Sequence, residues 1–176
     1  DKVEILSGVF KGRTNGGPIC LLIWNKDQDS RPYEQIRTIP RPGHSDYPAS
    51  VKYGGYADYR GGGRFSGRLT ATFVMAGAVA ERLLKVALGV DVVAYAIAIG
   101  KVRCGNIDFT SAIKNRYENE VRCPDFGAAE KMKEAIMAAK KRGDSIGGVI
   151  ECVTNRLPVG LGEPLFSSLE SDISRA

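Results

Sequence analysis

The sequence predicts a layered α+β domain rather than a doubly wound parallel sheet. Strand-like and helix-like segments follow one another in mixed order. The first two strand-like segments are joined by a connection too short for a parallel crossover, so they pair antiparallel. A long, nearly all-apolar helical segment needs cover on several faces, which a layered arrangement supplies.

Taken in order, Val3 to Phe10 and Pro18 to Trp24 are apolar runs rich in branched residues, joined through Lys11–Gly17, and read as the two strands of a hairpin. Asn25 to Gly63 is polar, aromatic and rich in glycine and proline, without a period of 2.0 or 3.6; so long an irregular stretch in a compact domain points to function. Ser66 is placed to cap a helix over Gly67–Leu88 that Gly89 ends. Val90–Ile99 reads as a buried strand, and Gly100–Pro124 as irregular. A second helix spans about Asp125 to Arg142, with Gly143 as its stop and a basic last turn that suits the helix dipole. Ile146–Thr154 is a further strand, and Pro164–Ala176 begins a third helix.

The chain has 176 residues, 43% hydrophobic and 26% charged, which is the balance of an ordinary globular domain, and one domain over residues 1–176 is expected. Cys20, Cys104, Cys123 and Cys152 are far apart in sequence with no C-x-x-C pair, so neither a zinc site nor a redox dithiol is signalled; buried thiols and a reducing cytoplasm are expected. The first residues read as a strand rather than a cationic and apolar leader, and the start at Asp1 reads as cut. Leu69–Leu88, the longest apolar run, contains Glu81, Arg82 and Lys85, which are costly in hydrocarbon; a buried helix without a membrane role is expected.

The formal charge of +5 favours anionic partners. Its placement is more informative. Arg31, Arg37, Arg41, Lys52, Arg60, Arg64 and Arg68 lie within one stretch, opposed there by Glu34, Asp46 and Asp58. Two patterns within it carry chemistry. Arg41-Pro42-Gly43-His44-Ser45-Asp46-Tyr47 holds the chain's one histidine, the side chain suited to proton exchange near neutral pH, beside a Pro-Gly turn that can hold the ring over a pocket. Asp58-Tyr59-Arg60-Gly61-Gly62-Gly63-Arg64-Phe65-Ser66-Gly67-Arg68 runs from three glycines into a capped helix, the arrangement of a phosphate or carboxylate cradle. Arg64 and Arg68 are four apart and would share a face if that turn were helical, offering guanidinium forks to an anion. The dinucleotide and P-loop fingerprints are not satisfied. The Gly, Arg and Tyr mixture of Lys52–Arg68 also suits single-stranded RNA, although RNA-binding tracts of this kind are usually long and repeated while this one is single and flanked by folded-looking elements.

With these residues set out, the chain resembles the chorismate synthase family. Arg41-Pro-Gly-His-Ser-Asp-Tyr, Lys52-Tyr-Gly and Asp58-Tyr-Arg-Gly-Gly-Gly-Arg64 match its signatures in order and spacing. Ile5-Leu-Ser-Gly-Val-Phe-Lys-Gly, Gly143-Asp-Ser-Ile-Gly-Gly and Pro158-Val-Gly-Leu-Gly-Glu-Pro-Leu-Phe extend the resemblance over nearly the whole chain. It implies a sandwich of helices between antiparallel β-sheets and a lyase of aromatic amino acid biosynthesis. That enzyme converts 5-enolpyruvylshikimate 3-phosphate to chorismate and phosphate by 1,4-anti elimination with reduced FMN, and NADPH joins where flavin reduction is intrinsic. A homotetramer of the full-length protein is also implied; no membrane partner is expected, and an RNA-binding module is the less favoured alternative.

Carried over by motif, His44 is the proton donor near reduced flavin, Arg41 and Arg68 face the anionic substrate, and Arg64 and Ser66 bind flavin; Asp46 and Tyr47 support His44. No metal is implied. The sequence departs from the family pattern at Phe65, where serine is frequent, at Gly67, where alanine is, and at Leu69, where glutamate is, which removes any hydroxyl contact from position 65. The family's amino-terminal Gly-x-Ser-His-Gly segment, with a second catalytic histidine, is expected to precede Asp1, and its carboxy-terminal half to follow Ala176. The 176 residues would then be a central portion with little or no activity alone.

Overall fold

The structure is a computed structural model and describes residues 2–176. It divides into two compact units, Asp1–Ala80 and Glu81–Ala176.

In the first unit, the expected strand Val3–Phe10 is broken into β1 (Val3–Ser7) and β2 (Val9–Phe10) at Gly8. Gly8 has a φ of 82°, and a Cβ there would lie 2.7 Å from both Ile19 Cα and Pro18 O, so only glycine fits at this crossing. β2 pairs with β3 (Arg13–Thr14), and β1 pairs antiparallel with β4 (Cys20–Ile23), setting Val3 opposite Ile23 and Ile5 opposite Leu21. The antiparallel hairpin read from the short connection is therefore present, with a glycine kink added.

The stretch expected to be irregular, Asn25–Gly63, holds a 3-10 turn at Arg31–Tyr33 and a helix, α1 (Asp46–Lys52). The helix is too short for a hydrophobic period, since of its seven residues only Ala49 is buried. Asp46 lies in its first turn, where negative charge suits the helix dipole. Pro48, also in that turn, sacrifices no hydrogen bond because the first amides have no helical partner.

Ser66 is extended, with φ −67° and ψ 133°, and its hydroxyl accepts from the Arg68 amide at 3.3 Å. A 3-10 turn at Gly67–Leu69 then leads into α2 (Thr70–Leu88). Gly89, at φ 70°, ends it, with its amide donating to the Lys85 carbonyl at 3.1 Å. The expected cap and stop are both present, but the expected burial of α2 is not. None of its residues is buried, and Phe73, Val74, Leu83 and Val86 are 62%, 72%, 66% and 69% exposed. Apolar composition gives a helix the capacity to be covered, while cover itself needs partner surfaces, and among the described residues these side chains stay exposed. No helix is long and apolar enough to cross a membrane among the described residues.

The second unit carries the larger core. β5 (Val92–Ile99) is the centre of a three-stranded antiparallel sheet, between β6 (Val102–Arg103) and β7 (Gly148–Thr154), with Val92 opposite Thr154 and Tyr95 opposite Glu151. The region Gly100–Pro124, expected to be irregular, contains β6 and α3 (Phe109–Asn115), the latter capped by Asp108, whose carboxylate accepts from the Ser111 amide at 2.9 Å. α4 (Phe126–Lys141) starts after an Asp125 cap and carries Lys140 and Lys141 in its last turn, the basic last turn that its sequence indicates. The last helix, α5 (Leu169–Arg175), starts at a Ser168 cap rather than at Pro164.

Val93, Tyr95, Ile97 and Ala112 form one buried cluster and Cys123, Ala128, Ala129 and Met132 a second, with Cys104 packed against both. Of the four thiols expected to be buried, Cys123 is buried, Cys104 is half-buried, and Cys20 and Cys152 are exposed. The two exposed ones lie on β4 and β7, neither of which has a buried residue. Arg116 is 8% exposed and donates to the Val92 carbonyl at 3.2 Å.

Candidate active site

Both sequence patterns fall in the first unit and meet on one cleft. It encloses about 240 Å³ and is lined by Tyr33, Arg41, Gly43, His44, Ser45 and Asp46 from one side, and by Gly61, Gly62, Phe65, Ser66 and Gly67 from the other. Of the residues singled out in the sequence, Arg41, His44 and Ser66 are brought together here. His44 is exposed, and its amide donates to the Arg41 carbonyl at 3.3 Å, closing the Pro-Gly turn.

Arg41 is tied down by Asp46. Its Nε donates to Asp46 Oδ2 at 2.9 Å, its Nη2 to Oδ1 at 3.0 Å and its backbone amide to Oδ2 at 3.0 Å. These side-chain hydrogen bonds from Arg41 hold the Asp46 carboxyl well below its ordinary range, at about 2. Asp46, expected to support His44, makes its side-chain hydrogen bonds to Arg41, while the charge of His44 beside it also favours the carboxylate. Its carboxylate grips Arg41, because only the guanidinium presents two parallel donors to it. Tyr47, assigned the same support, is 65% exposed.

The glycine run is a sterically closed turn. Gly61, Gly62 and Gly63 have φ of 61°, 83° and 54°, and a Cβ on Gly63 would lie 2.0 Å from the Asp58 carbonyl oxygen. That turn and the extended Ser66 separate Arg64 from Arg68, so the two arginines do not share a helical face as the spacing suggested. Arg64 Nη1 donates to Tyr53 Oη at 3.1 Å, and its guanidinium lies over the Tyr53 and Phe65 rings at 5.8 and 5.9 Å. It lines a hollow of about 320 Å³ with Tyr53, Tyr56 and Phe65. Arg68 Nη2 donates to the Gly61 carbonyl at 3.1 Å and lines a polar hollow of about 430 Å³ with Asp27, Asp29, Asp58 and Arg60. That hollow shares Tyr33 and Gly61 with the histidine cleft, and Phe65 walls both the histidine cleft and the Arg64 hollow.

Two of the region's arginines are spent locally. Arg31 is paired with Asp29 at 2.7 Å and Arg60 with Asp58 at 2.8 Å. The side-chain hydrogen bond from Arg60 holds the Asp58 carboxyl at about 2. Tyr33 and Tyr53 were not singled out as site residues in the sequence. An aromatic near arginines was the available signal, but which guanidinium each ring serves depends on how the loop closes.

A family model described as Chorismate synthase matches residues 1–176. The chain belongs to the chorismate synthase family. It is 47% identical over 176 residues to the chorismate synthase of Dehalococcoides mccartyi and 50% identical over 176 residues to that of Korarchaeum cryptofilum, covering 100% of this chain and 48% of each relative. The chain thus spans about half the length of the curated relatives it matches. A crystal structure of chorismate synthase matches 93% of this chain and 47% of its own with a TM-score of 0.68 and 28% identity. The α+β class read from the order of elements is that of this family's fold, represented in part.

Proposed function

We propose that the intact protein carrying these residues is a chorismate synthase, eliminating phosphate from 5-enolpyruvylshikimate 3-phosphate to form chorismate in aromatic amino acid biosynthesis. The observation that carries this is the meeting of Arg41, His44 and Ser66 on one cleft, across which the two signature patterns face each other. The substrate is anionic through a phosphate and two carboxylates, which suits a cleft lined by Arg41 and by glycines of both patterns, with Arg64 and Arg68 in adjoining hollows. Arg41 and Arg68 bind those anionic groups. His44, exposed at the cleft, is the proton donor.

Reduced FMN fits the residues present. Arg64 lies over aromatic rings and can meet a planar anionic ligand, and Ser66 lines the cleft beside it. Arg64 and Ser66 would hold it, and when bound it supplies electron density transiently to the departing phosphate. Phe65 offers a ring at a position where the family often has a hydroxyl, so flavin contact there is apolar. NADPH serves where flavin reduction is intrinsic. A cytoplasmic homotetramer is the assembly proposed for the intact protein, with little or no activity for residues 1–176 alone. RNA binding is disfavoured because Arg31 and Arg60 each carry an aspartate two residues away, whose negative charge offsets their attraction for phosphates.

The test is chorismate formation and phosphate release by the intact protein with reduced FMN. His44→Ala is expected to lower kcat by about a hundredfold or more, the range of a positioned proton donor. Wild-type turnover in H44A would remove His44 from the chemistry, and absence of chorismate from the wild type would remove the activity itself.

A further inference from the structure

We propose that Asp46 and Tyr33 are positioning residues that hold the Arg41 guanidinium by its side and leave its end free to bind an anion in the cleft. This rests on the proposed function, in which Arg41 meets the anionic substrate. A guanidinium has five N–H donors. Asp46 takes one from Nε and one from Nη2, both on the side-on edge, at 2.9 and 3.0 Å. Nη1 has no hydrogen-bond partner among the described residues, so the end-on edge formed by Nη1 and Nη2 still offers a donor from each nitrogen. Tyr33 carries the plane, with the Arg41 guanidinium carbon 5.7 Å from its ring centroid.

Comparison within the same unit shows what is particular to this pair. Asp29 and Asp58 hold Arg31 and Arg60 through the same side-on edge, but each pair is local, two residues apart, and open to water, with arginine side chains 90% and 66% exposed. Arg41 and Asp46 are 34% and 18% exposed, lie five residues apart across the histidine turn, and both line the cleft. Water competes less with a covered pair, so the Arg41 rotamer is set before ligand arrives and less entropy is lost on binding.

The experiment is steady-state kinetics of the intact protein with 5-enolpyruvylshikimate 3-phosphate and reduced FMN, comparing D46N, D46E, R41A, Y33L and the R41A/D46N double variant. D46N is expected to raise KM about tenfold with kcat changed far less, because a clamp on a remote anionic group contributes mainly to binding. D46E, keeping the carboxylate, recovers part of that loss, and Y33L shows a smaller rise in KM. The double variant is expected to be no worse than R41A, since Asp46 acts through Arg41. An unchanged KM in D46N, or losses that multiply in the double variant, would overturn the proposal. Titration of the Asp46 carboxyl by carbon-13 NMR reads the pair without turnover and so separates a failed pair from a failed functional assignment. A midpoint near the expected value of about 2 in wild type that returns towards 3.8 in R41A supports the pair, and an unshifted wild-type midpoint overturns it.

Discussion

Adding one methyl group at each of two neighbouring glycines should have unequal consequences. Gly62 has φ 83° and ψ 1°, and a Cβ there meets only Ser66, its Cβ at 3.5 Å and its Oγ at 3.9 Å, both ordinary contacts. Gly62→Ala therefore costs little beyond the left-handed conformation itself, about 1 kcal/mol. Gly63 has φ 54° and ψ −141°, a region essentially restricted to glycine, and its Cβ would lie 2.0 Å from the Asp58 carbonyl oxygen and 3.2 Å from the carbonyl carbon. No rotamer relieves a clash with backbone, so the turn must open; strain plus displacement costs roughly 3 kcal/mol or more. Because the Asp58 carboxylate also holds Arg60, the movement loosens that pair. The assay is denaturant unfolding of both variants of the intact protein, with the rate of proteolytic cleavage across Asp58–Ser66 as a local readout. G63A should be less stable than G62A by about 2 kcal/mol, some thirtyfold in the equilibrium constant, and be cut faster. Equal stability and equal cleavage would refute the claim that this turn is closed by backbone contact.

Two further outcomes concern the second unit. Tyr95 is 3% exposed and donates to Glu151, and burial first, then that hydrogen bond, push its phenol up to about 12 from 10.0. A raised folded value means its stabilising contribution is complete below pH 10 and is lost as pH rises through about 12. The ultraviolet difference between wild type and Tyr95→Phe should thus show no phenolate near pH 10.5, and its appearance there would contradict the burial. Met132 is fully buried while Met137 is 61% exposed, so Met132→Ala should cost about 2–5 kcal/mol in denaturant unfolding and Met137→Ala less than about 0.5; comparable losses would contradict the burial of one face of α4 and the exposure of the other.

Local chemistry was legible wherever a short stretch of chain decides the outcome. Ser66 accepts a hydrogen bond from a first-turn amide, and Gly89 takes the left-handed conformation that ends α2, because a cap needs only its immediate neighbours. The hairpin of β1 and β4 follows likewise from the length of its connection. α1 and α3, at seven residues each, were not legible, since two turns give too few positions for a period to emerge.

By itself the sequence determined the two motifs, their order, the family they resemble and the positive charge gathered between Arg31 and Arg68. Tertiary structure alone decided what that charge can do. Spacing set Arg64 and Arg68 on one face, but the left-handed glycines and the extended Ser66 send them into different hollows. Spacing also put Asp46 two residues from His44 and five from Arg41, and it is Arg41 that Asp46 holds. Distance along the chain says which groups can meet, whereas the geometry of donors and acceptors, fixed only when the loop closes, selects the pair that does.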